Sequence, residues 1–364
     1  MLHFCSVFTN VANFKTFHSI ASFQVIMDRY YKAESGRDMS TLYQLKVLTQ
    51  RTNVVTQVTK DYHADSAFFD NVFDCHVVAA AMTFLEMLDV TDTPANMPNR
   101  IEATTDEHKK RILSQVARSI IDKYAFGDMS EVLNDLVESN KSQQDDKDGV
   151  YNYATGILKY GMLRRVSVIA TASGDGLRAL RHWRFALLAY HQGQKTNYKL
   201  EAFLITAAVK ALLPERFAEE VTWSRFVNLT GGPGKNLDAD YTLELFNKAV
   251  KAKLKTMGPN NTPEQVMRAS RTIMFCDDLS KSLAQQLKVS PTSRDHTQQD
   301  LAKDKSLIID QLRNKTNVFT HTPGRRHAHF NEPRDIFSRI SGPEIHRWIA
   351  EKKKKYSSHC NWAF

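Results

Sequence analysis

The chain has 364 residues, 42% of them hydrophobic and 24% charged, with a formal net charge of +9. That length suits one large domain or two ordinary ones, and a charge content near the average of soluble proteins excludes a disordered chain. The apolar runs, such as Val77 to Ala81 and Val166 to Thr171, fall far short of the roughly 20 residues that cross a bilayer, so no membrane helix is expected.

The start, MLHFCSVFTNVANFKTFHSIASF, is apolar, but Asn10, Asn13 and Lys15 interrupt it. It lacks the positive region, compact apolar block and cleavage site of a secretory signal, and residues 1–22 read as an atypical or truncated start. SFQVIMDRYYKAESGRD then predicts a helix ending near Gly36, and STLYQLKVLTQR a second helix with Ser40 as N-cap. RTNVVTQVTKDYHA is β-branched and suits a short strand or an extended connection. DSAFFDNVFDCHVVAAAMTFLEML predicts a long helix, with Phe69, Phe73, His76, Ala80, Phe84 and Met87 at spacings of three and four. TDTPANMPNR is a loop by its two prolines.

SNKSQQDDKDG, residues 139–149, has no apolar side chain and marks a soft boundary between an N-terminal helical region, 23–140, and a C-terminal one, 150–350. Charge shifts at the same place. Residues 1–88 hold 7 Lys/Arg against 8 Asp/Glu, residues 89–150 hold 8 against 13, and the remainder 34 against 19, or net −1, −5 and +15. A concentrated positive field attracts polyanions such as DNA or RNA; many solvated lysines produce the same composition.

Beyond the boundary, a helix is predicted from about Tyr151 to Thr171. Asp175 caps the next, whose stripe is Leu177, Leu180, Trp183, Leu187 and Tyr190. YKLEAFLITAAVKALL forms another helix that stops before Pro214. In NLTGGPGKNLDADYTLELFNKAVK, the structural turn Gly231, Gly232, Pro233 and Gly234 reverses the chain, because these glycines reach positive φ at little cost. The spacing matches neither a Walker loop nor a dinucleotide fingerprint. Asp238 or Asp240 then caps a helix with an apolar stripe of Leu243, Phe246, Val250, Leu254 and Met257. Asp240 and Glu244, four apart, share one face. With further carboxylates they suit a divalent metal; a cap plus a Glu244–Lys248 ion pair is the simpler reading.

Thr262, Pro263 and Gln265 form a helix start of capping-box type, for a helix running to about Val289. Another helix spans about Gln299 to Asn317. HTPGRRHAHF gathers His321, Arg325, Arg326, His327 and His329; the arginines suit phosphate, and two imidazoles are too few for a zinc centre. A last helix from about Pro343 runs into KKKK at 352–355 and a basic tail, 351–364, which reads as a nuclear-import patch or a solvated helix end. Cys5, Cys75, Cys276 and Cys360 show no CxxC spacing and read as scattered thiols of a reducing, intracellular compartment. No metal site and no cofactor is expected, and no hydrolase, metalloprotease or kinase signature appears.

The runs IMDRYYKAESGRDMSTLYQLKVLTQRTNVV, CHVVAAAM, SGDGLRALRHWRFALLAYHQGQKTNYKLEA, WSRFVNLTGGPGKNLDADYTLELFNK and NVFTHTPGRRHAHF together resemble an uncharacterised eukaryotic family, domain of unknown function 6589, across residues 23–350. Its members multiply in genomes in the manner of mobile elements. Similar proteins continue upstream with a GDQ-type acidic segment and a further Asp- or His-bearing segment, which would suit an RNase H-like transposase. On that analogy Glu244, with Asp240 beside it, is the catalytic position. The acidic segments are missing here, so the resemblance implies an N-terminally truncated fragment or an inactive relative, with a divalent metal only under a nuclease reading.

The expectation is therefore a mainly α protein, an irregular multi-helix bundle with few short strands and a remnant of an RNase H-like transposase architecture. It would bind DNA or RNA through Lys235, Lys248, Lys251, Arg325, Arg326 and His327 without a complete active site, in an intracellular and nuclear setting. A helical protein–protein interaction module with unknown partners and a metal-dependent nuclease using Asp240 and Glu244 are the alternatives.

Overall fold

The computed structural model describes residues 18–95, 105–126, 147–229, 231–258, 262–268, 271, 301–333, 337 and 340–357. Helices dominate: α1 His18–Tyr30, α2 Leu42–Leu48, α3 Tyr62–Phe84, α4 Asp106–Ile121, α5 Gly149–Ser173, α6 Gly176–Gln192, α7 Thr196–Ala207, α8 Glu215–Trp223, α9 Ala239–Met257, α10 Leu301–Asp310 and α11 Gly342–Ser357. Strands β1 Phe226–Val227 and β2 Leu237–Asp238 pair antiparallel, Phe226 opposite Asp238. The protein is mainly α, as its 3.6-residue periodicity predicts.

Helix α5 is the spine. The Asp148 carboxylate accepts from the Val150 and Tyr151 amides to start it, and Gly174, at φ 68°, ends it. Every residue from Val150 to Leu158 is buried; a helix buried on every side must be wrapped by others. Helices α1, α3 and α6 do this. Gly161 permits the closest approach, since a Cβ there would overlap the Phe73 ring.

The main core joins Phe23, Tyr30, Phe69 and Val72 of α1 and α3 to Tyr153 and Ile157 of α5 and to Leu312, Phe319 and Phe330 near the C-terminus. Each large side chain so buried contributes roughly 1.5–3 kcal/mol over an exposed one. This core crosses the stretch read as a spacer, and Asp148, within that stretch, is fully buried in it. A smaller cluster packs α1 and α6 against α7 through Val25, Leu180, Trp183, Tyr190 and Ile205.

Several local expectations hold. Asp175 accepts from the Arg178 amide at 2.9 Å, and Thr262 and Gln265 exchange reciprocal bonds of 3.0 and 3.3 Å. Others are corrected. Thr41, not Ser40, caps α2; Ser40 instead adopts φ 65° and binds the Thr316 hydroxyl. Of the two readings of residues 51–61, the strand is not formed and a connection of turns is, because Gln24, Tyr31 and Asp65 take the backbone groups of 54–58 that a sheet would pair. Leu177 lies outside the buried stripe of α6, half exposed at its first turn. The predicted helix end at Val289 lies outside the described residues.

Candidate nucleic-acid interface

The glycine turn is the tip of the β1–β2 hairpin. Gly231, Gly232 and Gly234 sit at φ 71°, 84° and 73°, values that favour glycine. The tip is solvent-exposed, and Asn228 Nδ2 donates to the Gly232 carbonyl across it at 2.8 Å.

The base of the hairpin is firmly held. The amide and side chain of Asn236 both donate to the Ala172 carbonyl, at 3.2 and 2.9 Å, on the last turn of α5. Asp238 occupies the N-cap position of α9, yet its carboxylate does not cap. It accepts from Thr171 Oγ1 at 3.0 Å and Ser19 Oγ at 3.1 Å, tying the hairpin to α5 and α1. Arg225, just before β1, lays its guanidinium 5.2 Å from the centre of the Trp183 ring on α6, a ring that also stacks on His18 at 3.7 Å. The hairpin therefore adjoins both α6 and α9.

Lys235 is exposed on the hairpin, and Lys248, Lys251 and Lys255 are exposed on α9. Arg181 and Arg184 are exposed on α6, beside the half-exposed Phe185. None of these six has an ion-pair partner among the described residues. The α6 pair was not singled out from sequence, although its signal is plain in RALRHWRF: arginines at spacings of three fall on one helical face. The α9 backbone sets residues 240 and 244 one turn apart; the side chains of Asp240 and Glu244 lie outside the described ones. Among the described residues, no group of three His, Cys, Asp or Glu could hold a metal.

The tail segment is placed differently from the basic turn read in the sequence. Arg325 gives Nε and Nη2 to Asp148 Oδ2 at 3.0 and 2.6 Å and also donates to the carbonyls of Thr316 and Thr320. His327 is buried; its Nε2 meets the Met39 carbonyl at 3.0 Å, and its ring sits edge-on to Tyr153. Burial holds His327 below the usual imidazole range. Asp38 accepts from the Ala328 and His329 amides and from the His329 ring. Two aspartates thus clamp HTPGRRHAHF to the core; Arg325 and His327 are engaged within the fold, and Arg326 is exposed.

Part of the charge asymmetry is consumed in the same way. Lys195 pairs with Asp28 at 3.0 Å, Arg164 with Asp70 at 3.3 Å and Arg165 with Asp74 at 2.7 Å. Basic residues after the boundary meet acidic ones before it. Cys75 is a buried free thiol, pushed up to about 12 by desolvation; the other three cysteines lie outside the described residues. Among the described residues, no helix is long and apolar enough to cross a membrane.

Architecture and surface together define a mainly helical domain with one short glycine-tipped hairpin. The chain belongs to a family of unknown function (DUF6589), whose model matches residues 9–296. That is the family the sequence runs resemble, although the tail run NVFTHTPGRRHAHF lies beyond the matched residues and the match begins within the stretch read as an atypical start. No curated protein and no solved structure matches the chain.

Proposed function

We propose that this protein binds nucleic acid through phosphate contacts from Lys235 on the hairpin, Lys248, Lys251 and Lys255 on α9, and Arg181 and Arg184 on α6. The supporting observation is selective pairing. Cations turned into the core meet carboxylates, as Arg164 and Arg325 do, and exposed Arg178 pairs with Asp175, whereas the six cations named here have no ion-pair partner among the described residues. Unpaired lysines and arginines on exposed helices suit a phosphate backbone, which they engage by releasing its counterions. The reading fits a transposon-type origin and an intracellular, nuclear setting.

Fluorescence anisotropy with a labelled duplex and a labelled single strand, at about 50 and 200 mM salt, tests it. Affinity falls with salt, and the Lys248→Ala/Lys251→Ala double variant lowers the salt slope by roughly two. Binding that is insensitive to salt, or a slope unchanged in the double variant, overturns the proposal.

A second reading, a helical protein-interaction module, draws on α8. Phe217 and Trp223 are half exposed there and, with Val221, line a groove of about 540 Å³ whose rim carries Glu220. The nuclease reading rests on the shared face of residues 240 and 244; a metal-dependent cleavage activity that survives Glu244→Ala removes it.

A further inference from the structure

A groove of about 570 Å³ opens between α1, α2 and the turns of residues 54–60, within the range of roughly 300–1,000 Å³ typical of small-molecule sites. It lies in the N-terminal region and uses none of the residues assigned above to nucleic acid.

Its wall is rigid. Gln24 accepts from the Val58 amide at 2.9 Å and donates to the Thr56 carbonyl at 2.9 Å. The Tyr31 hydroxyl donates to the Val54 carbonyl at 3.2 Å, and Asp65 accepts from the Val55 amide at 2.8 Å. Gln24 of α1, Tyr31 just past its end and Asp65 of α3 thus fix a segment that has no regular secondary structure. Such fixed geometry lowers the ordering cost of binding.

The charge left open in the lining is positive. The carboxylate in the lining, Asp28, is engaged at both oxygens, by Gln24 Nε2 at 2.6 Å and Lys195 Nζ at 3.0 Å. The ammonium groups are not ion-paired. Lys46 Nζ rests 5.3 Å from the centre of the Tyr43 ring and 6.0 Å from that of Tyr31, with no ion-pair partner among the described residues. The Lys60 ammonium, the Tyr43 hydroxyl and the Gln57 amide, all in the lining, have no hydrogen-bond partner there either. Two ammonium groups, which can only donate, call for an anionic ligand; the phenol and the amide beside them can donate to it as well. The tyrosine rings behind Lys46 form an apolar wall suited to an organic body rather than a bare ion.

We propose that this groove binds a small phosphorylated organic molecule, its phosphate held between Lys46 and Lys60 and its body against Tyr43. Phosphate attracts lysine as a point charge, and the groove exceeds what inorganic phosphate alone would fill. Asp65, behind the wall on the Val55 amide, interacts electrostatically with Lys46 and moderates the positive field without an ion pair to it.

Isothermal titration of the full chain with adenosine monophosphate, and separately with inorganic phosphate, tests the proposal. Adenosine monophosphate binds at least tenfold more tightly than phosphate, and Lys46→Ala and Lys60→Ala each weaken it about tenfold. Tyr43→Phe, which keeps the ring and removes the hydroxyl, weakens it a few fold. Lys248→Ala leaves it unchanged, which separates this site from the nucleic-acid surface. Circular dichroism confirms that each variant is folded. Three results overturn the proposal: no heat with either probe at 10 mM, equal affinity for both, or a folded Lys46→Ala/Lys60→Ala variant that binds as the parent does.

Discussion

Arg325 Nη2 stands 2.6 Å from Asp148 Oδ2, although 177 residues separate them in the chain. The same oxygen accepts from the Thr322 amide at 2.8 Å, while Oδ1 caps α5. One buried carboxylate therefore starts the central helix and anchors the C-terminal segment that delivers Phe319 and Phe330 to the core. Asp148→Ala removes the cap, the ion pair and the Thr322 bond together and strands Arg325. The expected loss is about 3–5 kcal/mol, read as a lower urea midpoint; a shift under roughly 1 kcal/mol would show that the clamp does not hold the tail.

The buried histidines make the protein acid-sensitive. Desolvation pushes His76 and His182 down to about 4, while an unfolded imidazole titrates near 6.5. The folded state therefore holds them neutral. Their contribution to stability is complete above about pH 6.5 and is lost as pH falls towards 4. At pH 5 each site costs about 2 kcal/mol. Asp65 acts in the opposite direction, because burial raises its carboxyl to about 6, and protonation below that pH favours the folded state. The two histidines outweigh it. Urea midpoints at pH 7 and pH 5 should differ strongly in the parent and less in His182→Leu; equal pH dependence in the two proteins would contradict the assignment.

Two glycines separate steric from conformational demands. At Gly161 a methyl group collides with the Phe73 ring, so Gly161→Ala should cost about 1–3 kcal/mol through overpacking. At Gly231 nothing lies within 4 Å of an added Cβ, but φ is 71°. Gly231→Ala should therefore cost only the left-handed penalty, about 1–2 kcal/mol, without disturbing the core. Chemical denaturation together with near-ultraviolet circular dichroism resolves the two. A perturbed aromatic signal in Gly231→Ala, or none in Gly161→Ala, would reverse the interpretation.

The inward placement of His327 predicts a contrast on the nucleic-acid surface. His327→Gln should leave oligonucleotide affinity within about twofold while lowering thermal stability, since it disturbs the packing on Tyr153. Lys251→Ala should do the reverse, reducing the salt slope by about one with an unchanged melting temperature. An affinity loss confined to His327→Gln would return the tail segment to the interface.

Much of the local structure was legible in the residues themselves. Asp175, the Thr262–Gln265 capping box, the three glycines of the hairpin tip and the long periodic helix containing Phe69 and Phe73 act through neighbours within a few positions, and that range is what spacing encodes. The cap of α2 was misread by one residue because Ser40 and Thr41 offer the same hydroxyl chemistry, and the contact with Thr316 decides between them.

By itself, then, the sequence determined a mainly helical chain, its family, most of its helices and the backbone freedom of the glycine tip, since these follow from propensity, periodicity and steric allowance over short stretches. Only the tertiary structure decided which charges remain available. Arg325 and Lys251 are equally basic on paper, but one is folded against a buried aspartate from 177 residues away and the other is left in water. Spacing along the chain carries no record of that difference, because an ion pair forms wherever packing brings opposite charges together.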